Sequence, residues 1–359
     1  MAYIPPSTHA TLLATLRRER LLPGRGTVLV QVDQRVESSD VVARGDHTDR
    51  HVLLDVARAL AVARDKSAAL LTRQEGDEVK KGETLAVKKG LLGSQSVLSP
   101  VDGRLVLFED GKALIAAAAP FELRAGLPGN VINLLPDRGI SIETTGALLE
   151  GVWGNGRDDF SALRLLTRAA DQPLSAEQLD LGLRGAVIAA SVLADAGPLQ
   201  SVRDIGVRGL IIGSAPAELL PTLQGLPFPV MLTDGFGLGG MCEPAFNLLA
   251  GNSGREAWLN ATTGDRFAGK RPEVIIPLPS PSSLTPPPPS DGEPLKEGKR
   301  VRVLRGPDAG RVGTVIGLSD KPMALPSGLR AMVAAVTLEE SLGSRPTITV
   351  PFANLEHLE

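Results

Sequence analysis

The chain has 359 residues, 43% of them hydrophobic, which is enough apolar surface for two or three separate cores. Its formal net charge of −3 creates no overall field that would favour nucleic acid or an anionic membrane. No apolar run approaches the ~20 residues that span a bilayer, and the first residues lack the pattern of a signal peptide. Cys242 is the single cysteine, which excludes an intramolecular disulfide and fits a reducing, cytoplasmic location. The histidines and this cysteine lack metal-ligand spacing, so we predict no metal site.

Two helices are predicted in the first part of the chain. Residues 1–25 contain the first, over 7–22, because Ser7 or Thr8 could cap it, leucines would share one face, and arginines lie near its end. The second, over 51–64, follows from apolar residues at helical spacing after a polar turn at 44–49.

Residues 75–106 alternate apolar and charged positions between Gly, Asp and Pro turns, which is typical of short half-buried strands in a small barrel or sandwich. A fainter copy of this pattern lies at 32–43, and another strand is predicted over 112–119. The stretch resembles the biotinyl/lipoyl family of barrel-sandwich hybrid domains through Gly76-Asp77-Glu78-Val79-Lys80-Lys81-Gly82-Glu83-Thr84-Leu85 and Ser99-Pro100-Val101-Asp102-Gly103. The resemblance implies a hairpin whose tip carries a modified lysine. Leu92 falls at that position, so we predict a barrel-sandwich hybrid-like domain over 26–125 with no covalent cofactor.

Residues 126–270 change from a β-rich to an α/β pattern. Strands are predicted at 131–135, 140–143 and 148–153, followed by a helix at 160–170. Apolar strands at 186–191, 207–213 and 230–233 then alternate with helices at 197–205, 216–224 and 243–250. This alternation indicates a small parallel sheet. The segment 195–233 loosely resembles the swivelling β/β/α domains of protease-associated or phosphohistidine families.

A glycine-rich loop follows the last of these strands and precedes a helix. Ligands bind at the carboxyl edge of parallel sheets, and the N–H groups of a helix start attract anions. A cysteine near that helix start could have a lowered pKa. The loop is therefore either a site for an anion or small ligand, or a tight turn. The candidate ligand-binding residues are Asp234, Gly235, Gly237, Gly239, Gly240 and Cys242; no catalytic residue is assigned.

Residues 271–295 are rich in proline and serine, which favours extended polyproline II and predicts a domain linker. Residues 296–359 then alternate valine with charged residues, followed by a Gly-Pro turn and a Gly-Thr-Val-Ile strand. This segment resembles a KOW module, as found in NusG-type transcription factors and ribosomal proteins, and the resemblance implies an SH3-like barrel. Alternation places Arg300 and Arg302 on one strand face, opposite Val301 and Val303. The candidate nucleic-acid contacts are Lys299, Arg300, Arg302, Arg305 and Arg311, diluted by nearby acidic residues.

These patterns predict a multidomain, mostly β chain with an α/β segment, comprising a barrel-sandwich hybrid, a small α/β domain and a C-terminal SH3-like barrel. We interpret the chain as a non-catalytic adaptor or structural subunit of a larger protein or ribonucleoprotein assembly in transcription or translation. Its KOW module would make at most weak RNA contact, and no cofactor or membrane contact is predicted. Two alternatives stay open: a ligand-binding or enzymatic protein that uses the Asp234–Pro244 loop, and a self-assembling structural protein, which would be a homo-oligomer.

Overall fold

The computed structural model describes residues 3–90, 93–265, 269–279, 285–290, 292–339 and 346–358. It is mostly β, with several sheets. In chain order, the strands up to the α/β part are β1 (Ser7–Thr8), β2 (Ala10–Leu21), β3 (Gly26–Val28), β4 (Arg35–Val36), β5 (Val41–Asp55), β6 (Glu78–Val79), β7 (Thr84–Gly90), β8 (Gly93–Leu98), β9 (Gly103–Glu109), β10 (Lys112–Arg124), β11 (Gly129–Leu135), β12 (Gly139–Glu150), β13 (Trp153–Gly154) and β14 (Arg157–Leu165).

The strands that follow are β15 (Val187–Val192), β16 (Gly209–Ala215), β17 (Val230–Phe236), β18 (Glu256–Ala261), β19 (Glu273–Pro277), β20 (Arg300–Val303), β21 (Val312–Leu318), β22 (Met323–Ala324), β23 (Arg330–Ala331), β24 (Val333–Leu338), β25 (Thr347–Pro351) and β26 (Leu355–Leu358). The α-helices are α1 (Val56–Ala59), α2 (Arg64–Ser67), α3 (Gly197–Ile205), α4 (Leu220–Gln224) and α5 (Glu243–Gly251). Short 3-10 turns lie at Ala68–Leu70, Ala176–Gln178, Leu181–Leu183, Ala217–Leu219 and Phe352–Asn354. No helix in these described ranges is both long and apolar enough to cross a membrane.

The largest sheet joins the α/β part to the β-rich part. Its order is β13-β17-β16-β15-β14-β18-β19-β12-β11-β4, and β2 pairs with β12. Strands β14 to β17 run parallel, and β14 is the junction because its other neighbour, β18, is antiparallel. The apolar strands β15 and β16 are buried along their whole length, as expected where helices cover both faces. Helices α3 and α4 pack on one face, and α5 packs on the other.

The N-terminal part contains a second sheet, β3-β5-β10-β9-β6, and the separate hairpin β7-β8. The hairpin is held against the end of α1, because Lys88 Nζ donates to the Leu60 carbonyl (2.9 Å) and Gln95 Nε2 donates to the Ala59 carbonyl (2.8 Å). Leu92, at the predicted hairpin tip, lies outside the described residues. The amine of Lys88 makes a structural contact, because it donates to the backbone at the end of α1. The resemblance to biotinyl/lipoyl domains stays a prediction.

The C-terminal sheet has the order β1-β26-β20-β21-β24-β25. The last strand in the chain, β26, therefore lies between β1 and β20, and β21, β24 and β25 follow β20 in chain order. Over the described residues, β25 and β1 lie at the two edges, so the sheet does not close into a ring. Residues near the N-terminus complete the sheet. Strand β1 runs parallel to β26, the Tyr3 ring lies 5.5 Å from that of Phe352, and Leu295 N donates to the Tyr3 carbonyl (2.9 Å). Both ends of the chain therefore build one sheet.

Three predicted helices are wrong. Residues 10–21, within the first, form β2, which pairs with β12 along its length. Residues 44–55, predicted as a turn and the start of a helix, belong to β5, so only the four-residue α1 and α2 remain helical there. Residues 160–165 belong to β14. Ala, Leu, Arg and Glu have high helix propensity, but propensity is a weak preference that pairing partners and burial override.

Part of the proline-rich segment predicted as a linker is built into the largest sheet. Residues 273–277 form β19, which lies between β12 and β18 in the largest sheet, and residues 273–276 are buried. Beyond it, the Thr15 N–H donates to the Pro287 carbonyl (3.3 Å) and Thr15 Oγ1 donates to the Pro286 carbonyl (2.7 Å). The prolines therefore lie along β2. Residues 280–284 and 291 lie outside the described residues.

Candidate functional site

The glycine-rich loop and the C-terminal sheet meet in a cleft of about 170 Å³. The loop leaves the carboxyl end of β17 and enters α5, and it faces β20 together with the following turn at residues 304–310. The cleft is lined by Ser214, Asp234, Gly235, Phe236, Gly239, Gly240, Met241, Cys242, Arg302, Val303, Leu304, Ala309 and Gly310. Two separate sequence predictions, the ligand loop and the basic strand of the KOW-like segment, thus come together at one place.

A buried ion cluster forms the floor of this cleft. Arg302 Nη1 lies 2.6 Å from Asp234 Oδ1, and the same guanidinium forms an ion pair with Glu356. All three side chains are less than a tenth exposed. The second oxygen of each carboxylate is also engaged, since Thr233 Oγ1 donates to Asp234 (2.7 Å) and Thr8 Oγ1 donates to Glu356 (3.0 Å). The cluster therefore connects β17, β20, β26 and β1.

Arg302 stays charged in this environment. Burial by itself lowers its pKa, but Asp234 and Glu356 outweigh burial, so the pKa lies above the ordinary arginine value. Two carboxylates against one guanidinium give the cluster a formal charge of −1. This balance disfavours the bound anion considered above, because the guanidinium is already occupied by protein carboxylates.

Cys242 does not have the lowered pKa expected at a helix start. Burial, followed by the nearby charge of Asp234, raises the pKa of its thiol to about 12. The Sγ atom lies 3.8 Å from Arg302 Nη1, but this contact does not compensate for the loss of water. The thiol is therefore protonated at neutral pH and is a packing group, which removes the physical basis for a nucleophilic cysteine.

The loop holds its shape through glycine and through hydrogen bonds at both ends. Gly240 has φ +84°, and a Cβ there would approach the Ala170 carbonyl oxygen to 2.6 Å. Its N–H donates to Ser214 Oγ (3.0 Å), while the Gly237 N–H donates to the Ala215 carbonyl (2.9 Å). Two apolar side chains are presented here: Phe236, just before the Gly237 anchor, is 52% exposed, and Leu238, between the anchors, is 64% exposed.

The C-terminal sheet is fixed to the α/β part by apolar packing as well. Val312 of β21 and Leu358 of β26 belong to the same buried cluster as Met241 and Ala245 at the start of α5. Together with the ion cluster, this shared core makes the module a docked part of the body. The polyproline segment therefore does not act as a free tether.

The five candidate cations have different surroundings. Arg300 donates to both oxygens of Glu339 (2.9 and 2.6 Å), Arg311 pairs with Asp308 (2.6 Å), and Lys299 pairs with Glu293. Arg300 and Arg302 occupy alternate positions of β20, as predicted, but docking buries Arg302, so this candidate nucleic-acid contact is not accessible. Arg305 is exposed, and no ion pair is seen for it over the described residues. Sequence reasoning missed Thr8 and Glu356, since neither lies in a recognisable motif.

Comparison with known proteins identifies the C-terminal module. Residues 297–337 match the family model of the KOW motif. The match begins just before β20 and ends within β24, so it covers the strand that carries Arg302 and the turn at 304–310. No curated protein matches the chain in sequence. The chain is therefore a mostly β, multidomain protein that carries a KOW module near its C-terminal end.

Proposed function

We propose that this chain is a non-catalytic adaptor that binds a protein or ribonucleoprotein assembly of transcription or translation in the cytoplasm. The KOW module supports this class of partner, because the motif is associated with ribosomes, RNA and transcription factors. The raised pKa of Cys242 favours an adaptor over an enzyme acting through that thiol.

One observation favours protein contact over RNA contact. Among the five candidate cations, one is buried in the ion cluster and three are paired with carboxylates of the same chain. A phosphate that contacts one of these cations must displace its carboxylate, and the displaced carboxylate stays close enough to repel the phosphate. Exposed ion pairs contribute at most about 1 kcal/mol each, so displacement is feasible, but the remaining negative charges repel a polyanion. Arg305 is then the main cation that the turn offers to a partner.

An RNA titration at two salt concentrations tests this preference on the full chain. The logarithm of the binding constant should fall with the logarithm of salt by roughly 0.7 to 0.9 for each phosphate contact. We expect weak binding with a slope near one, and Arg305→Ala should remove it. Tight binding with a slope near four would mean that the paired cations all contact phosphate, and the module would then be an RNA-binding surface.

Affinity purification from native lysate tests the adaptor itself. Ribosomal or polymerase subunits should remain bound after nuclease treatment, because the proposed contacts are to protein. Loss of every partner on nuclease treatment would contradict the proposal. A variant in which Leu181, an exposed residue far along the chain from the cleft, is replaced by serine provides a matched surface control.

A further inference from the structure

We infer that the cleft between the glycine-rich loop and the turn at 304–310 receives one aromatic side chain of a protein partner, flanked by an acidic residue. The inference rests on the proposed adaptor function and names the partner's chemistry. Both walls are preformed, because the ion cluster and the shared core hold the KOW module against α5.

The rim of the cleft is apolar and exposed. Phe236 and Leu304 line it from opposite modules, and Leu304 is 37% exposed. Leu238 projects from the same glycine-rich loop. Exposed apolar side chains are ordinary when scattered, but a group around a concave site is typical of protein interfaces. The glycine conformations at 235, 237 and 240 bring this loop to the surface at the point where it faces the KOW module.

The size of the cleft suits one ring. An engineered protein cavity of about 150 Å³ holds a benzene molecule, and this cleft has about 170 Å³. An aromatic group is favoured because Phe236 and Leu304 at the rim offer apolar surface, and Arg302 and Met241 are among the residues that line the cleft. Cations and sulfur atoms interact favourably with aromatic rings.

Charge at the rim specifies the neighbour of that ring. Arg305 follows Leu304 and is exposed, and the described part of the chain shows no carboxylate paired with it. The other basic residues of the predicted set that reach the surface, Lys299, Arg300 and Arg311, are all paired with carboxylates. An acidic residue next to the aromatic anchor would complement Arg305. A nucleic acid fits less well, because Arg305 is a single cation and the neighbouring Lys299, Arg300 and Arg311 are paired with carboxylates of the chain.

The test is an NMR titration of the isotope-labelled full chain with the blocked dipeptide N-acetyl-Phe-Glu-amide. We expect shifts in the amides of residues 235–242 and 304–310, and smaller or no shifts with N-acetyl-Ala-Glu-amide. Phe236→Ser or Leu304→Ser should weaken binding about fivefold or more, whereas Leu181→Ser should not change it. Arg305→Ala should remove a roughly two- to fivefold preference for the Glu probe over its Gln counterpart.

Three outcomes would overturn the inference. One is the absence of shifts at millimolar Phe-Glu probe in the unaltered protein, and a second is equal response to the Phe and Ala probes. The third is a response of these amides to oligouridine but not to the dipeptide, which would assign the cleft to RNA. The dipeptide could fail to bind while the lysate experiment still yields nuclease-resistant partners. The adaptor function would then stand, and the partner would contact a surface other than this cleft.

Discussion

Replacing Asp234 by alanine should loosen the KOW module from the body of the protein. The substitution removes one of the two carboxylates that hold Arg302, whose side chain is 4% exposed. Removing one partner of a buried pair typically costs about 3–5 kcal/mol, because the remaining charge stays buried. Arg302 keeps Glu356 as a partner, so we expect the low end, about 3 kcal/mol.

Hydrogen exchange over β26 and urea unfolding of the full chain measure this effect. Exchange is the sharper readout, because it reports the local opening free energy of the strand that carries Glu356. A loss of about 3 kcal/mol corresponds to roughly a hundredfold faster exchange when the strand opens and recloses faster than its amides exchange. Asp308→Ala is the matched control, since it removes an acidic partner of the half-buried Arg311 at the surface and should cost about 1 kcal/mol or less. Equal effects of the two substitutions on β26 would refute the buried cluster as the docking contact.

The other predictions concern pH, thiol chemistry, cleavage and modification. Burial raises the pKa of Glu150, so the folded state holds its proton more tightly than the unfolded chain; its stabilising contribution is present below the ordinary pKa of 4.5 and is lost as pH rises toward the raised value. Glu150→Gln should therefore raise the melting temperature at pH 7 more than at pH 4, and an unchanged difference would contradict this. Cys242 should react with a thiol reagent at pH 8 only after unfolding, because its pKa is about 12, and rapid native reaction would refute its burial. Cleavage at a protease site inserted after Gly292 should leave the two pieces together in gel filtration, since Val312 and Leu358 lie in the shared core; separation would show a tethered module. The intact mass should be that of the unmodified chain, and a biotin or lipoate increment on Lys88 or Lys89 would overturn the prediction that the barrel-sandwich hybrid-like domain carries no covalent cofactor.

The local sequence pattern was sufficient to predict a helix or strand whose own residues specify it. Helix α3 begins and ends at the predicted residues, because Pro198 suits a first helical turn and Gly206 ends the helix in the left-handed conformation. The apolar runs of β15 to β17 and the alternating valines of β20 were also recognisable, since burial on both faces gives a continuous apolar run and burial on one face gives alternation. For the same reason the KOW segment could be identified from its residues alone.

Local pattern failed where a distant partner decides the outcome. Residues 10–21 have helix-forming composition, yet β12 supplies the backbone partners and buries Ala14 and Leu16. The same holds for the candidate site. Asp234 and Arg302 could each be proposed as a site residue from the sequence. Their contact could not be predicted, because helix α5, strands β18 and β19 and the proline-rich segment separate them in the chain.

The sequence alone therefore determined the class of the fold, the KOW module and the two segments that line the cleft. The tertiary structure decided that these segments face each other, that Arg302 is buried, and that the N-terminal strand completes the C-terminal sheet. The physical reason is that periodicity records only whether a residue faces water or apolar surroundings. It carries no information on which charge lies opposite, and Thr8 and Glu356 are 348 residues apart in the chain.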